Sequence, residues 1–193
     1  MSAEARLRMS VLLGGFAASQ MLYVAARLRL ADLLAAGPMP VERLAADGHF
    51  VYATARKDSD IAALDAIPNV KGLRLDVTQP AEIAAAVQAV TAGGRGLYGL
   101  VNNAGVLVVG PLARATDADF QYVMEVNVLG VLRVTRAFLP LVLAAKGRVV
   151  NLSSRAGLHA SANNGLYAMS KHAVEAFTDA LAAEVAPTGV SVS

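Results

Sequence analysis

From residue 49 onward the spacing of apolar positions along the chain switches repeatedly between strand-like and helix-like. HFVYATA (49–55) is a short run of β-branched and aromatic residues behind Gly48 and predicts a strand. VKGLRLDV (70–77) predicts a second strand. In PAEIAAAVQAVTA (80–92) a proline in the first turn precedes Ile83, Val87 and Val90 on one face, which predicts a helix. GLVNNAG (99–105) predicts a strand running into a turn, and Asp117 is placed to cap a long helix reaching about Ala145, with Pro140 kinking its end. GRVVNLSS (147–154) predicts a short strand buried on both faces. A second long helix runs from about Gly165 to Ala186, and GVSVS (189–193) opens another strand.

Strands alternating with helices of this length predict right-handed βαβ units on a parallel sheet, an α/β fold. In such a sheet a ligand sits at the carboxyl ends of the strands. The polar residues of most interest collect there: Arg56 after the first of these strands, Asp76 after the second, Asn102, Asn103, Ala104 and Gly105 after the third, and Ser153 and Ser154 after the fourth. Residues 1–47 are patterned differently. SQMLYVAARLRLADLLAAG (19–37) predicts one or two helices, followed by the turn GPMP and a short helix VERLAAD, so this part is expected to be a helical segment joined to the sheet.

Composition narrows the class. Apolar residues make up 55% of the 193-residue chain and charged residues 17%, which points to a well-cored domain rather than a disordered one. The net charge of +2 and the absence of basic clusters interleaved with aromatics argue against a nucleic-acid partner. There is no Cys, so disulfides, thiolate metal sites and a Cys nucleophile are excluded, and three scattered histidines suggest no metal site. The longest uncharged run, 11–26, is too short and too polar to span a bilayer, so no membrane association and a cytoplasmic location are expected.

The chemistry concentrates in YAMSK (167–171). Tyr167 and Lys171 are four apart, one turn along a single helix face. Tyrosine is ordinarily a poor base near neutrality. An ammonium one turn away favours its phenolate, so the pair is a plausible proton donor and acceptor at the mouth of a cleft. Ser154, thirteen residues upstream at a strand end, is placed to hold a substrate oxygen.

Taken in order, LDVT with Asp76, VNNAG with Asn102 to Gly105, NVLG with Asn127, GRVVNLSS with Ser154, and YAMSK resemble the short-chain dehydrogenase/reductase family over about residues 44–193. The resemblance implies a Rossmann-type doubly wound parallel sheet. It implies Tyr167 as catalytic acid/base, with Lys171 favouring its phenolate and binding the nicotinamide ribose. It further implies that Ser154 positions the reacting carbonyl or alcohol and that Asn127 supports a water-linked proton relay from a helix irregularity. Asp76 is implied to lie near the adenine, and Asn102–Gly105 to brace the central strands beside the cofactor. Arg56 follows a strand where a 2′-phosphate would be gripped by its fork of donors, and no acidic residue stands there for a 2′-hydroxyl. NADP(H) is therefore expected over NAD(H). The stretches VYATARK and GPLARAT resemble members of the family that act on hydrophobic alcohols and ketones, which implies a small hydrophobic alcohol or ketone as substrate.

The family's first strand and glycine-rich turn are expected some twenty residues before HFVYATA, where no glycine cluster stands. LLGGFAASQ (12–20) is a poor substitute, because Phe16 and Met21 would crowd a phosphate cradle that needs small residues. Residues 11–46 instead resemble the N-terminal helical and winged-helix dimerisation region of small-molecule O-methyltransferases, which carries no catalytic residue and implies a dimer. The expected organisation is thus a helical segment over 1–47 and a Rossmann domain over 48–193, shortened at its front and lacking the family's C-terminal lid. In the family's strand order, 3-2-1-4-5-6-7, the first strand is central. Without it either SVLLG (10–14) stands in, which we favour, or the sheet splits. Two functions follow: an NADP(H)-dependent alcohol/carbonyl oxidoreductase, impaired in this chain, or an inactive folded, self-associating relative. The long helices are expected to form a homo-oligomer face.

Overall fold

The computed structural model describes residues 41–193. The chain there forms α1 (Val41–Ala46), β1 (Val51–Ala55), α2 (Asp58–Asp65), β2 (Val70–Arg74), α3 (Pro80–Ala92), β3 (Gly99–Asn102), α4 (Asp117–Met124), α5 (Gly130–Ala144), β4 (Arg148–Asn151), α6 (Gly165–Val185) and β5 (Ser191–Val192). The expected alternation of strand and helix is present. The proposed stand-in strand 10–14, the LLGGFAASQ glycines and most of the methyltransferase-like segment lie outside the described residues.

Among the described residues all strand pairing is parallel. β1 pairs with β2 from Val51 opposite Val70 to Ala55 opposite Arg74. β3, β4 and β5 form a second sheet in that order, with Asn102 opposite Asn151 at the carboxyl edge. Among the described residues no strand pairing joins β1 to β3. What spans the two sheets there is apolar packing, and the period-2 alternation of strand side chains organises it. Val51, Ala53 and Ala55 of β1 share one cluster with Val101, Val150 and the buried face of α1. Tyr52, Leu100 and Val149 point the other way, into a larger cluster with Val90 of α3, Phe138 and Val142 of α5, and Leu181 of α6.

Several boundaries differ from expectation for local reasons. β2 ends at Arg74 rather than 77 because the Asp76 amide donates to Glu82 Oε2 at 2.6 Å, leaving the ladder. The cap of α4 is Thr116 rather than Asp117. Its Oγ1 accepts from the Asp119 amide at 3.1 Å while the Asp119 carboxylate accepts from the Thr116 amide at 3.0 Å, a capping box. The long helix is also not one helix: a π turn over Glu125–Leu129 separates α4 from α5, which continues past Pro140 to Ala144. α2 has no sequence signal of this strength, since it buries only Leu64.

Candidate active site

The carboxyl ends of β3 and β4, the π turn and the first turns of α6 converge on one place. Asn102 and Asn151, opposite each other on adjacent strands, are joined by a 2.8 Å bond from Asn102 Nδ2 to Asn151 Oδ1. Asn102 Nδ2 also donates to Thr135 Oγ1 of α5 at 2.8 Å, and Asn151 Nδ2 donates to Thr178 Oγ1 of α6 at 2.9 Å. All four side chains are buried, so each bond replaces one lost to water, and the line ties both long helices to the strand ends.

The π turn places Asn127 in the centre of this frame. An i to i+5 turn inserts one extra residue into a helix and re-aims what it carries. Asn127 is wholly buried and makes three bonds: Nδ2 donates to the Val106 carbonyl at 2.9 Å and to Ser170 Oγ at 2.9 Å, and Oδ1 accepts from the Val106 amide at 2.7 Å. Ser170 Oγ donates onward to the Tyr167 carbonyl at 2.7 Å. Asn127 is therefore linked through Ser170 to the backbone of the helical turn that carries Tyr167.

Lys171 follows one turn later and is 5% exposed. Its Nζ donates to the Leu152 carbonyl at 2.6 Å, at the end of β4, and stands 5.7 Å from the Tyr167 ring centroid. Burial pulls this ammonium down to about 8, and the Glu175 carboxylate works in the opposite direction. Gly105 lies against the same group: a Cβ there would stand 3.6 Å from Asn127 Oδ1 and 3.8 Å from Lys171 Nζ. Ser154 Oγ accepts from the Ala156 amide at 3.1 Å and starts a short 3-10 turn, Arg155–Gly157. Its hydroxyl proton has no acceptor among the described residues, nor does the Tyr167 hydroxyl.

The second part of the site lies across the carboxyl ends of β1 and β2. Arg56 Nη1 stands 4.0 Å from Asp76 Oδ2. Asp76 Oδ1 accepts from the Thr78 amide at 2.9 Å and from Thr78 Oγ1 at 2.7 Å, an Asx turn that fixes the carboxylate. Arg74 Nη1 donates to the Arg56 carbonyl at 2.7 Å, and Arg74 also pairs with Asp58. Arg56, Asp76 and Thr78 face Gln121, Tyr122 and Glu125 across an open cleft of about 600 Å³. A separate narrow crevice is lined by Thr54, Leu75 and Val77 on one side and Asn102, Asn103 and Ala104 on the other.

The structure thus brings Asn127, Ser154, Tyr167, Lys171, Asn102 and Gly105 to one end of the three-stranded sheet, with Asn103 and Ala104 beside them. Arg56 and Asp76 meet at the ends of the other two strands. These two groups are the residues that could hold the two ends of a nicotinamide dinucleotide. The buried Lys171 Nζ spends one of its three N–H donors on Leu152, leaving donors for ribose hydroxyls, and the Arg56–Asp76 cleft offers a cation and a fixed carboxylate. Sequence reasoning passed over Ser170, Asn151, Thr135 and Thr178. Ser170 could have been found inside YAMSK, three residues after Tyr167 on the same helix face. Asn151 stands in NLSS, whereas the two threonines carry no sequence signal.

Comparison with known proteins shows the family and the fold. The family profile for short chain dehydrogenases matches residues 37–193. Retinol dehydrogenase 5 of Mus musculus is 48% identical over 122 residues, covering 62% of this chain and 38% of that protein. The actinorhodin polyketide ketoreductase with NADPH superposes with a TM-score of 0.74 at 34% identity, covering 78% of this chain and 61% of that one. A short chain dehydrogenase/reductase of Burkholderia phymatum in complex with NAD gives a TM-score of 0.68 at 30% identity, covering 72% and 53%. The chain spans about two fifths of the length of the curated relatives it matches.

Proposed function

This chain belongs to the short-chain dehydrogenase family, and from that premise we propose that it is a nicotinamide-dependent oxidoreductase interconverting an alcohol and a carbonyl, with NADP(H) preferred and a hydrophobic substrate. The observation that carries the proposal is the buried chain from Asn127 through Ser170 to the Tyr167 turn, with Lys171 one turn beyond, beside a Ser154 hydroxyl with a donor to spare.

Lys171 and Tyr167 would hold the nicotinamide ribose, and Arg56 and Asp76 the adenosine end, with Arg56 favouring a 2′-phosphate. When bound, the cofactor supplies or accepts a hydride at the reacting carbon. In the reductive direction Ser154 Oγ donates a hydrogen bond to the substrate oxygen. Tyr167 gives that oxygen its hydroxyl proton, and the Lys171 ammonium stabilises the negative charge left on the phenolic oxygen. The Leu152 carbonyl keeps the ammonium in place, and the bonds from Asn127 to Ser170 and from Ser170 to the Tyr167 carbonyl keep the helical turn from drifting. Exposed Phe120, Leu129 and Leu132 on α4, the π turn and α5 suit the proposed contact with a second copy.

A second reading, a folded relative with weakened or no cofactor binding, draws on the sheet. Among the described residues no pairing between β1 and β3 holds the two halves of the cofactor site at a fixed separation. A fluorescence titration with NADPH and NADH separates the two. Micromolar NADPH binding, with Arg56→Ala weakening NADPH more than NADH, is expected for the oxidoreductase. Absence of binding up to millimolar cofactor would leave the second reading.

A further inference from the structure

Four residues beyond Lys171 on the same face of α6 stands Glu175, a half-buried carboxylate that the catalytic scheme does not use. It also lies against the turn that carries Ser154. The 3-10 turn Arg155–Gly157, which Ser154 caps, is pressed onto α6 at Gly157. A Cβ at Gly157 would lie 3.1 Å from Glu175 Oε1, 3.1 Å from Glu175 Cγ and 2.6 Å from Ser153 Oγ. A side chain at this position would press on both the carboxylate and the Ser153 hydroxyl. Ser153 Oγ, next to Ser154, is buried and makes no hydrogen bond among the described residues. One carboxylate therefore adjoins both the turn that presents Ser154 and the helical turn that presents Lys171.

We propose that Glu175 is a positioning residue that keeps Lys171 as an ammonium and braces the Ser154 turn through Gly157, so that the hydroxyl of Ser154 and the Tyr167–Lys171 pair keep one fixed relation. Its use in catalysis rests on the oxidoreductase reading above. Its effect on Lys171 does not.

The surroundings single out this carboxylate. Burial works against the charged form of Lys171, and Glu175 is the charged side chain that opposes burial. Apart from Tyr167, the other titratable groups on the elements packed here are engaged or turned outward. Glu125 of the π turn pairs with Arg133, Arg155 of the 3-10 turn is exposed, His172 Nδ1 lies 2.9 Å from the Ala168 carbonyl, and the Tyr167 ring is 5.7 Å from Nζ. The remaining polar neighbours, the Leu152 carbonyl and Asn127, are neutral.

Lysine side-chain NMR on the full chain, following the Cε resonance of Lys171 from pH 6 to 11 and assigning it with Lys171→Met, tests the proposal without requiring turnover. In Glu175→Gln the midpoint falls, by roughly a few tenths of a unit to one unit, and Glu175→Asp restores part of it. Where the wild type turns over, the arm of its kcat profile set by Lys171 moves to lower pH in Glu175→Gln by the same amount, and KM changes less than kcat. An unchanged Lys171 midpoint in Glu175→Gln overturns the proposal. So does an equal loss in Glu175→Asp and Glu175→Gln, which would reduce the residue to a packing role. Lack of turnover in the wild type would count against the oxidoreductase reading, and the NMR midpoint would still decide this one.

Discussion

The two sheets hold their halves of the site by different means. At the ends of β3 and β4 the polar residues are buried and bonded to one another: Asn102 to Asn151, Asn127 to Val106 and Ser170, Lys171 to Leu152. At the carboxyl ends of β1 and β2 the corresponding contacts face water: Arg74 with Asp58 and Arg56 with Asp76. Buried bonds fix geometry because breaking one leaves a polar group with no water to replace the partner. Exposed ion pairs fix little and are screened by salt. Proton transfer needs the first kind of support. Gripping the charged end of a long cofactor is served by the second, where side chains can adapt.

The largest test of this contrast is at the reacting group. Tyr167→Phe should lower kcat/KM by roughly 10²- to 10⁴-fold, the span general acid catalysis supplies. The melting temperature should stay where it is, since the lost hydroxyl makes no bond among the described residues. Next is the buried frame. Asn127→Ala removes three bonds from an interior position and should cost on the order of 3 kcal/mol in urea unfolding, and Asn151→Ala about 2 kcal/mol. Losses below about 0.5 kcal/mol at both sites would break the comparison.

Lys171 provides a test through pH. Its folded pKa of about 8 lies below the ordinary 10.5, so the unfolded chain holds more protons between those values and stability rises with pH across that window. Burying the ammonium therefore costs stability in full below about pH 8, and the cost lifts on the way to 10.5. Relative to Lys171→Met, the wild type should gain on the order of 3 kcal/mol across the window. A flat difference would show that Lys171 is not desolvated. The smallest effect is expected on the exposed side. Arg74→Ala should change stability by less than about 1 kcal/mol, and the change should vanish in molar salt.

Much of this was legible because each motif couples a backbone need to a chemical one. PAEIAAAVQAVTA became a helix with the expected bounds, Pro80–Ala92, since proline and periodicity agree there. Asn127 was expected at a helix irregularity through family resemblance, and the π turn is there, although the apolar spacing of 117–145 alone gave one unbroken helix. The capping residue of α4 was missed by one position because Thr116 and Asp117 both have the chemistry, and only the reciprocal bond with Asp119 distinguishes them. Thr135 and Thr178 could not be foreseen. A threonine inside a helix usually bonds its own backbone, and only the sheet register reveals that these two face Asn102 and Asn151. Arg56 was expected beside a phosphate, and the structure adds Asp76 as its neighbour, which sequence distance concealed.

The most direct measurement is NADPH consumption with a panel of hydrophobic aldehydes and ketones, at saturating cofactor, with wild type and Tyr167→Phe side by side. The account predicts NADPH loss matched by alcohol formation in the wild type and absent from Tyr167→Phe. Wild-type protein that binds NADPH yet reduces none of the panel, or a Tyr167→Phe protein that keeps the wild-type rate, would contradict it.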